Sequence, residues 1–294
     1  MERISFYDEI KRNKRLSGFL IFIVLVVLLS LVYVIGLVMG PDYFFFILIF
    51  GTIFSLIYIV GGYYKSAELA IASVRAKPAS QEQYRQYHNI VEGLSLASGL
   101  PKPKLFIMND SSINAFASGR DPKHAVICVT TGSLEKLTKQ ELEGVLAHEM
   151  SHIANYDIRF MTLTAILVGM ISIIAQIFLR TLFFTGGNGG GDNKKGNAIL
   201  MVIGIVLAIL APIIVMLVQL AISRRREYGA DSSAVKFMRT PTGLIGALKK
   251  ISGNKEMKVP GAVAPLFLAK PGRASNLFET HPPLADRIKK LERM

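Results

Sequence analysis

The chain has 294 residues, of which 51% are apolar and only 19% charged, and it carries a net charge of +13. Soluble domains usually carry about 25% charge, and with a mean hydropathy of +0.41 and apolar residues in unbroken runs, the composition excludes disorder and collagen-like structure and points to a membrane protein. The single cysteine, Cys128, excludes an intramolecular disulfide and a cysteine-based zinc site, so any metal must use His and carboxylate ligands.

In chain order, a basic stretch at Lys11, Arg12, Lys14 and Arg15 precedes residues 16–39, which hold no charge. At about 1.5 Å per helical residue that run exceeds the ~30 Å hydrocarbon thickness. It is too long for a signal peptide and lacks a small-residue cleavage site, so it reads as an uncleaved span. Gly40, Pro41 and Asp42 break the run, and residues 43–64 return across the membrane with Tyr43, Tyr63 and Tyr64 as interface anchors. Residues 65–160 read as soluble. The spacing of Tyr84, Tyr87, Val91 and Leu94 predicts a helix over 80–98, and short β-branched runs predict strands at 104–108 and 124–130, with a third at 113–117. Thr138 and Glu141 match a capping box that opens a further helix. Two more apolar runs, 161–184 and 198–222, follow. Arg180 sits near the end of the first, where it can snorkel, and a glycine-rich loop joins the two. Residues 223–294 are soluble again, with a Pro- and Gly-rich surface loop at 253–272.

The expected architecture is an α+β membrane protein. A short segment (1–15) leads into a first transmembrane hairpin (16–64). The first part of a mainly helical domain with a small β-sheet follows (65–160), then a second hairpin (161–222) and the second part of the same domain (223–294). Four crossings place 1–15, 65–160 and 223–294 on one side, and of the 34 basic residues only Arg180, Lys194 and Lys195 lie elsewhere. The positive-inside rule makes that side cytoplasmic, so both termini face the cytoplasm. The positive charge then reports orientation and contact with anionic lipids; without an aromatic-basic binding module, no nucleic-acid partner is expected.

The chemistry lies in His148-Glu149-Met150-Ser151-His152, an HExxH motif in the helix opened by Thr138. Residues four apart project from one helical face, so both imidazoles can hold one Zn²⁺ with Glu149 beside a metal-bound water. Such a motif arises by accident on the order of once per hundred chains of this length, so it needs a third ligand. Glu227, Asp231 and His281 are the candidates, because the topology returns them to the same side. Glu227 and Asp231 are also four apart. Glu227 is expected to complete a two-His, one-Glu catalytic site, with Asp231 accepting a hydrogen bond from a ligating His. The alternative for Glu227 is an ion pair with Arg224, Arg225 or Arg226 on a solvated face. His88 and His124 read as structural, Cys128 as a small core residue, and Asp157 as an ordinary turn residue after the motif helix.

With HEMSH between the second and third apolar runs and Arg224-Arg225-Arg226-Glu227-Tyr228-Gly229-Ala230-Asp231 directly after the fourth, the chain resembles the HtpX-type membrane zinc endopeptidases. These are relatives of the CaaX prenyl proteases within the gluzincin group, and the resemblance covers nearly the whole chain. It implies a zincin-like cytoplasmic protease domain, one zinc per chain held by His148, His152 and Glu227, and Glu149 as catalytic base. It further implies that Asn114-Ala115-Phe116 corresponds to a substrate-binding edge strand, and that Thr280-His281-Pro282-Pro283 matches a late family motif. An exposed strand edge binds extended peptides through main-chain groups with little sequence demand; the alternative is an ordinary edge and turn. Two readings stand for His281: a hydrogen-bond donor to the developing oxyanion, or a residue at the start of a final helix capped by Thr280.

The expected reaction is zinc-assisted peptide hydrolysis in the cytoplasmic membrane, with Glu149 moving the proton. A site so close to two spans favours misfolded membrane proteins or unfolded cytoplasmic loops as substrates, and the resemblance implies a quality-control role under stress. The alternatives are a dedicated processing protease of the CaaX kind, whose members carry more spans, and a catalytically silent scaffold holding structural zinc. An intact Glu149 argues against the scaffold.

Overall fold

The computed structural model describes residues 41–163, 224–253 and 282–294, together with 204, 257, 259, 263, 266–268 and positions 11, 14–16, 18–19, 21–23, 25–26, 29–30 and 32–33. The described positions between 14 and 33 are all helical. Helix α1 (Pro41–Tyr64) follows, 24 residues long and apolar enough to cross a membrane. Pro41 and Asp42, expected as the break between spans, instead form the first turn of α1. There the missing proline N–H costs nothing and the carboxylate favours the positive end of the helix dipole. Phe45, Phe50 and Phe54 point outward from α1, as in a helix that faces lipid rather than a protein core. Val32 lies so close to Gly51 that a β-carbon there would collide with it, and Tyr33 meets Phe44 edge-to-face. The expected spans 161–184 and 198–222 fall almost wholly outside the described residues.

After α1 come α2 (Ser66–Ser73), β1 (Lys77–Pro78), α3 (Arg85–Ser98), β2 (Lys104–Met108), β3 (Ala115–Gly119), a short 3₁₀ turn (Pro122–His124) and β4 (Ala125–Thr130). Helices α4 (Thr131–Lys136), α5 (Lys139–Ala154), α6 (Arg224–Met238), α7 (Thr242–Ser252) and α8 (Leu284–Leu291) complete the described chain. The expected helix over 80–98 starts later, at Arg85. It ends as anticipated at Gly99, whose left-handed backbone (φ +70°) lets its N–H return to the Ser95 carbonyl.

The sheet is mixed, in the order β1-β2-β4-β3, with β2 parallel to β4 and the other pairs antiparallel. Strand β3 begins two residues later than the apolar run suggests, because the backbone N–H of Asn114 bonds to side chains rather than to a strand carbonyl. That N–H donates to the Thr130 and Ser133 hydroxyls at 3.1 and 2.9 Å. Alternate residues of β3 and β4 face two cores. Ala115, Ala117, Ile127 and Val129 pack with α3, α5 and α7, whereas Phe116, Val126 and Cys128 pack with α2 and with Met257, Val263 and Phe267. Cys128 is a core residue, as expected.

Helix α5 opens with the expected capping box: Thr138 N–H donates to Glu141 at 2.7 Å and Glu141 N–H to the Thr138 hydroxyl at 3.3 Å. Glu141 also meets Lys250 of α7 at 2.6 Å. Glycines make the α5–α7 contact possible, since a β-carbon at Gly144 would strike the Leu244 backbone and one at Gly243 the Gln140 carbonyl. From Leu142 to Ala154 every α5 residue but Glu143 is buried, so the HExxH segment lies deep between α3, α6, α7 and the sheet.

Candidate metal centre

His148 and His152, one turn apart on α5, face Glu227 from the first turn of α6. The Nε2 atoms of the two imidazoles are 3.2 Å apart. Glu227 Oε2 lies 3.5 Å from His148 Nε2, and its Oε1 lies 3.7 Å from His152 Nε2. The three donors fall within 4.8 Å of one another and all three residues are buried. Glu227 lies in the interior rather than on a solvated helix face.

A carboxylate occupies the far side of each imidazole. Asp231, one turn beyond Glu227, accepts from His148 Nδ1 at 2.9 Å. Asp157 accepts from His152 Nδ1 at 3.0 Å. With both Nδ1 atoms engaged, both Nε2 lone pairs are directed to the shared centre. The assignment of Asp157 as an ordinary turn residue is thus corrected. Helix α5 ends at Ala154, and Tyr156 takes a left-handed backbone (φ +60°) that turns the chain sharply enough to aim Asp157 back at His152. Replacing Asp157 with Asn should weaken metal affinity by about 10- to 100-fold with little loss of fold. Metal titration against a competing chelator checks this.

Arg287 of α8 is a member of the site that the sequence reading missed. Its side chain is fully buried and donates to Asp231 through Nε at 2.9 Å and Nη2 at 2.6 Å, while Nη1 lies 3.2 Å from Glu227 Oε2. The signal was present, because Arg287 falls with Leu284 and Leu291 on the apolar stripe of an amphipathic helix, where a charge is buried and needs a partner.

The electrostatics fit a divalent cation. Four buried carboxylates, of Glu149, Asp157, Glu227 and Asp231, are gathered around two imidazoles and one guanidinium. Burial and the Arg287 charge act to lower the His148 pKa, but its bonds to Asp231 and Glu227 outweigh them and raise it to about 9. Burial raises the Asp231 pKa, yet Arg287 and His148 bring it below the usual carboxylate range. Glu149 moves the other way: burial raises its pKa, opposed by His148 and His152 and by a hydrogen bond from the Ala117 N–H of β3.

Asn114, Ala115 and Phe116 lie at the outer edge of the sheet, as expected of an edge strand, but they are buried rather than exposed. The Ala115 N–H donates to the Asn114 side chain at 3.0 Å, and the Ala115 carbonyl accepts from the Leu268 N–H at 2.9 Å. Phe267 pairs antiparallel with Phe116, their ring centroids 4.8 Å apart. The expectation of an open edge is corrected to this extent: the chain's own 266–268 segment covers it. Thr280 and His281 lie outside the described residues. His88 Nε2 meets the Ala79 carbonyl and His124 pairs with Asp121, both away from the centre.

The family model described as Peptidase family M48 matches residues 81–294, which contain all of these groups. The chain belongs to peptidase family M48. It is 46% identical over 246 residues to a protein named Protease HtpX homolog from Thermoanaerobacter pseudethanolicus, covering 82% of each chain. A Protease HtpX homolog from Dictyoglomus thermophilum is 39% identical over the full length of this chain and 96% of its own. In fold the chain is similar to the crystal structure of S. mikatae Ste24p, with a TM-score of 0.52 at 19% identity. That match covers 90% of this chain and about three-fifths (61%) of the larger protein. As an M48 peptidase with HtpX relatives, the chain is a membrane metalloprotease acting on protein substrates.

Proposed function

We propose that this M48 peptidase is a zinc endopeptidase of the cytoplasmic membrane, with both termini and its active site on the cytoplasmic side, and that it degrades misfolded or damaged membrane proteins as a stress response. The observation that carries the proposal is the convergence of His148, His152 and Glu227 within 4.8 Å, with Asp231 and Asp157 behind the two imidazoles. Two imidazoles and a carboxylate are a donor set for catalytic zinc, and the surplus of buried carboxylates suits a doubly charged ion. The four-span topology rests on the apolar runs and on the clustering of basic residues to one side.

When bound, zinc supplies Lewis acidity, polarising the scissile carbonyl and acidifying water to a pKa of about 7. The protein's residues do the rest. His148, His152 and Glu227 hold the ion, and Asp231 and Asp157 fix the two imidazoles. Glu149, next to His148, takes a proton from the attacking water and returns it to the leaving amine. Glu149 lies beside Ala117 of β3, the strand beside which an extended peptide would lie. In Glu227→Ala, zinc content by elemental analysis should fall from about one per chain to a small fraction, and activity with it. Full zinc retention would remove Glu227 from the ligand set.

Substrate pairing with β3 needs the groups that Leu268 and Phe267 now engage, so a substrate strand would exchange with the 266–268 segment. Leu268→Pro removes the competing N–H, whereas Leu268→Val keeps it. The first should raise kcat/KM on an unfolded substrate several-fold over the second at equal thermal midpoints. Equal kcat/KM would show that the segment does not compete.

A further inference from the structure

The end of α1 carries a second feature that the hydrolytic site does not use. A cavity of about 250 Å³ opens beside Tyr64, lined by four basic side chains, Lys102, Lys104, Arg120 and Lys123. Its wall is apolar on the inner side, where Ile71 and Phe106 contribute. The charges are not equivalent. Lys102 pairs with Glu92 at 2.9 Å and Arg120 lies 3.5 Å from Asp121, while Glu68 at the rim is engaged by Lys65 at 2.9 Å. Lys104 and Lys123 have no ion pair with a described residue. The pocket therefore keeps an uncompensated positive charge.

The turn between β3 and β4 is tied to the last turn of the apolar helix. Arg120 donates to the Tyr64 carbonyl at 3.2 Å with its guanidinium 4.9 Å from the Tyr64 ring, and Arg159 donates to the Tyr63 hydroxyl at 2.6 Å and to the Arg120 carbonyl at 3.0 Å. Tyrosines beside basic residues at the end of a span mark the depth of lipid headgroups. A concave, cationic pocket with an apolar wall at that depth matches a phosphodiester with its glycerol, and each lysine near an anionic surface adds to the attraction.

We propose that this pocket binds the headgroup of an anionic phospholipid, with Lys104 and Lys123 holding the phosphate and Tyr64 and Phe106 flanking the glycerol. The inference rests on the membrane reading of α1 and would seat the protease domain at a fixed height above the bilayer.

The test uses full-length protein in neutral detergent, titrated with short-chain phosphatidylglycerol, short-chain phosphatidylcholine or inorganic phosphate, with the thermal midpoint as readout. Lys104→Gln/Lys123→Gln is compared with Lys139→Gln/Lys289→Gln, which removes two exposed lysines outside the pocket. Phosphatidylglycerol should raise the wild-type midpoint where phosphatidylcholine and phosphate do not. The pocket variant should need at least about tenfold more phosphatidylglycerol for the same shift, and the control variant no more than about twofold. Equal titrations of wild type and pocket variant, or equal losses in both variants, would overturn the site, and an equal response to inorganic phosphate would overturn the lipid assignment. Resistance of the protein to carbonate extraction from vesicles tests the membrane reading separately.

Discussion

Glu149→Gln is expected to lower peptide hydrolysis by about 10³-fold while leaving close to one zinc per chain. The size follows from the role: a positioned general base contributes about 10²- to 10⁴-fold, and the amide keeps the shape of the carboxylate but cannot take a proton. Metal retention follows from the geometry. The donors converge from His148, His152 and Glu227, and Glu149 is not among them. Glu149 instead faces β3, where the Ala117 N–H meets its carboxylate. The substitution removes one negative charge from a centre rich in carboxylates without removing a ligand. Single-turnover cleavage with elemental analysis of the same sample checks both halves. Loss of zinc together with activity would make Glu149 structural and reopen the scaffold alternative.

Arg287→Ala should have the second largest effect, on stability and metal affinity together. The guanidinium makes two hydrogen bonds to Asp231 and an ion pair to Glu227, all in the interior. Removing one partner of a buried charge network costs about 3–5 kcal/mol, because the remaining charges stay desolvated and uncompensated. Against a typical domain stability of about 5–15 kcal/mol, that is a large fraction. Asp231 would lose its anchor, and with it His148 its fixed tautomer. Arg287→Lys should fall between, since an ammonium supplies charge but not the planar fork that engages both oxygens of Asp231. Thermal midpoints with and without zinc check the order wild type, Lys, Ala. Because zinc supplies positive charge to the same carboxylates, it should narrow the gaps between the three. An Ala variant as stable as wild type would mean that water reaches Asp231 and Glu227.

The contrast between Glu227 and Arg287 shows what a sequence carries and what it does not. The spacing of His148, Glu149 and His152 is meaningful by itself, because one helical turn fixes where side chains four apart must point. Glu227 and Asp231 could be paired with them since they obey the same spacing and follow the apolar runs that are expected to return the chain to the same side. Asp157 reads from the sequence as an ordinary turn residue, because its role depends on a left-handed Tyr156 that periodicity does not reveal. Arg287 is 139 positions from His148, and its burial depends on how α8 packs, which only tertiary structure supplies.

The sheet is a similar case. Strands β2 and β4 match their apolar runs to within a residue, yet β3 starts two residues later because hydroxyls of Thr130 and Ser133 take the Asn114 N–H. Its edge position was anticipated from the family resemblance. Its covering by Leu266, Phe267 and Leu268 was not, because it depends on a contact across some 150 positions that no local pattern encodes. The match to 61% of Ste24p shows the shared fold without deciding between the quality-control and CaaX-type processing readings.

The measurement that tests the central claim most directly is cleavage of an unfolded model protein by the full-length enzyme in detergent, stripped of metal and then restored with one equivalent of zinc. Glu149→Gln is carried in parallel. The account predicts no cleavage after stripping, recovery on adding zinc to the wild type, and no recovery in the variant despite equal zinc uptake. Cleavage that persists after stripping, or that zinc restores equally in Glu149→Gln, would contradict it.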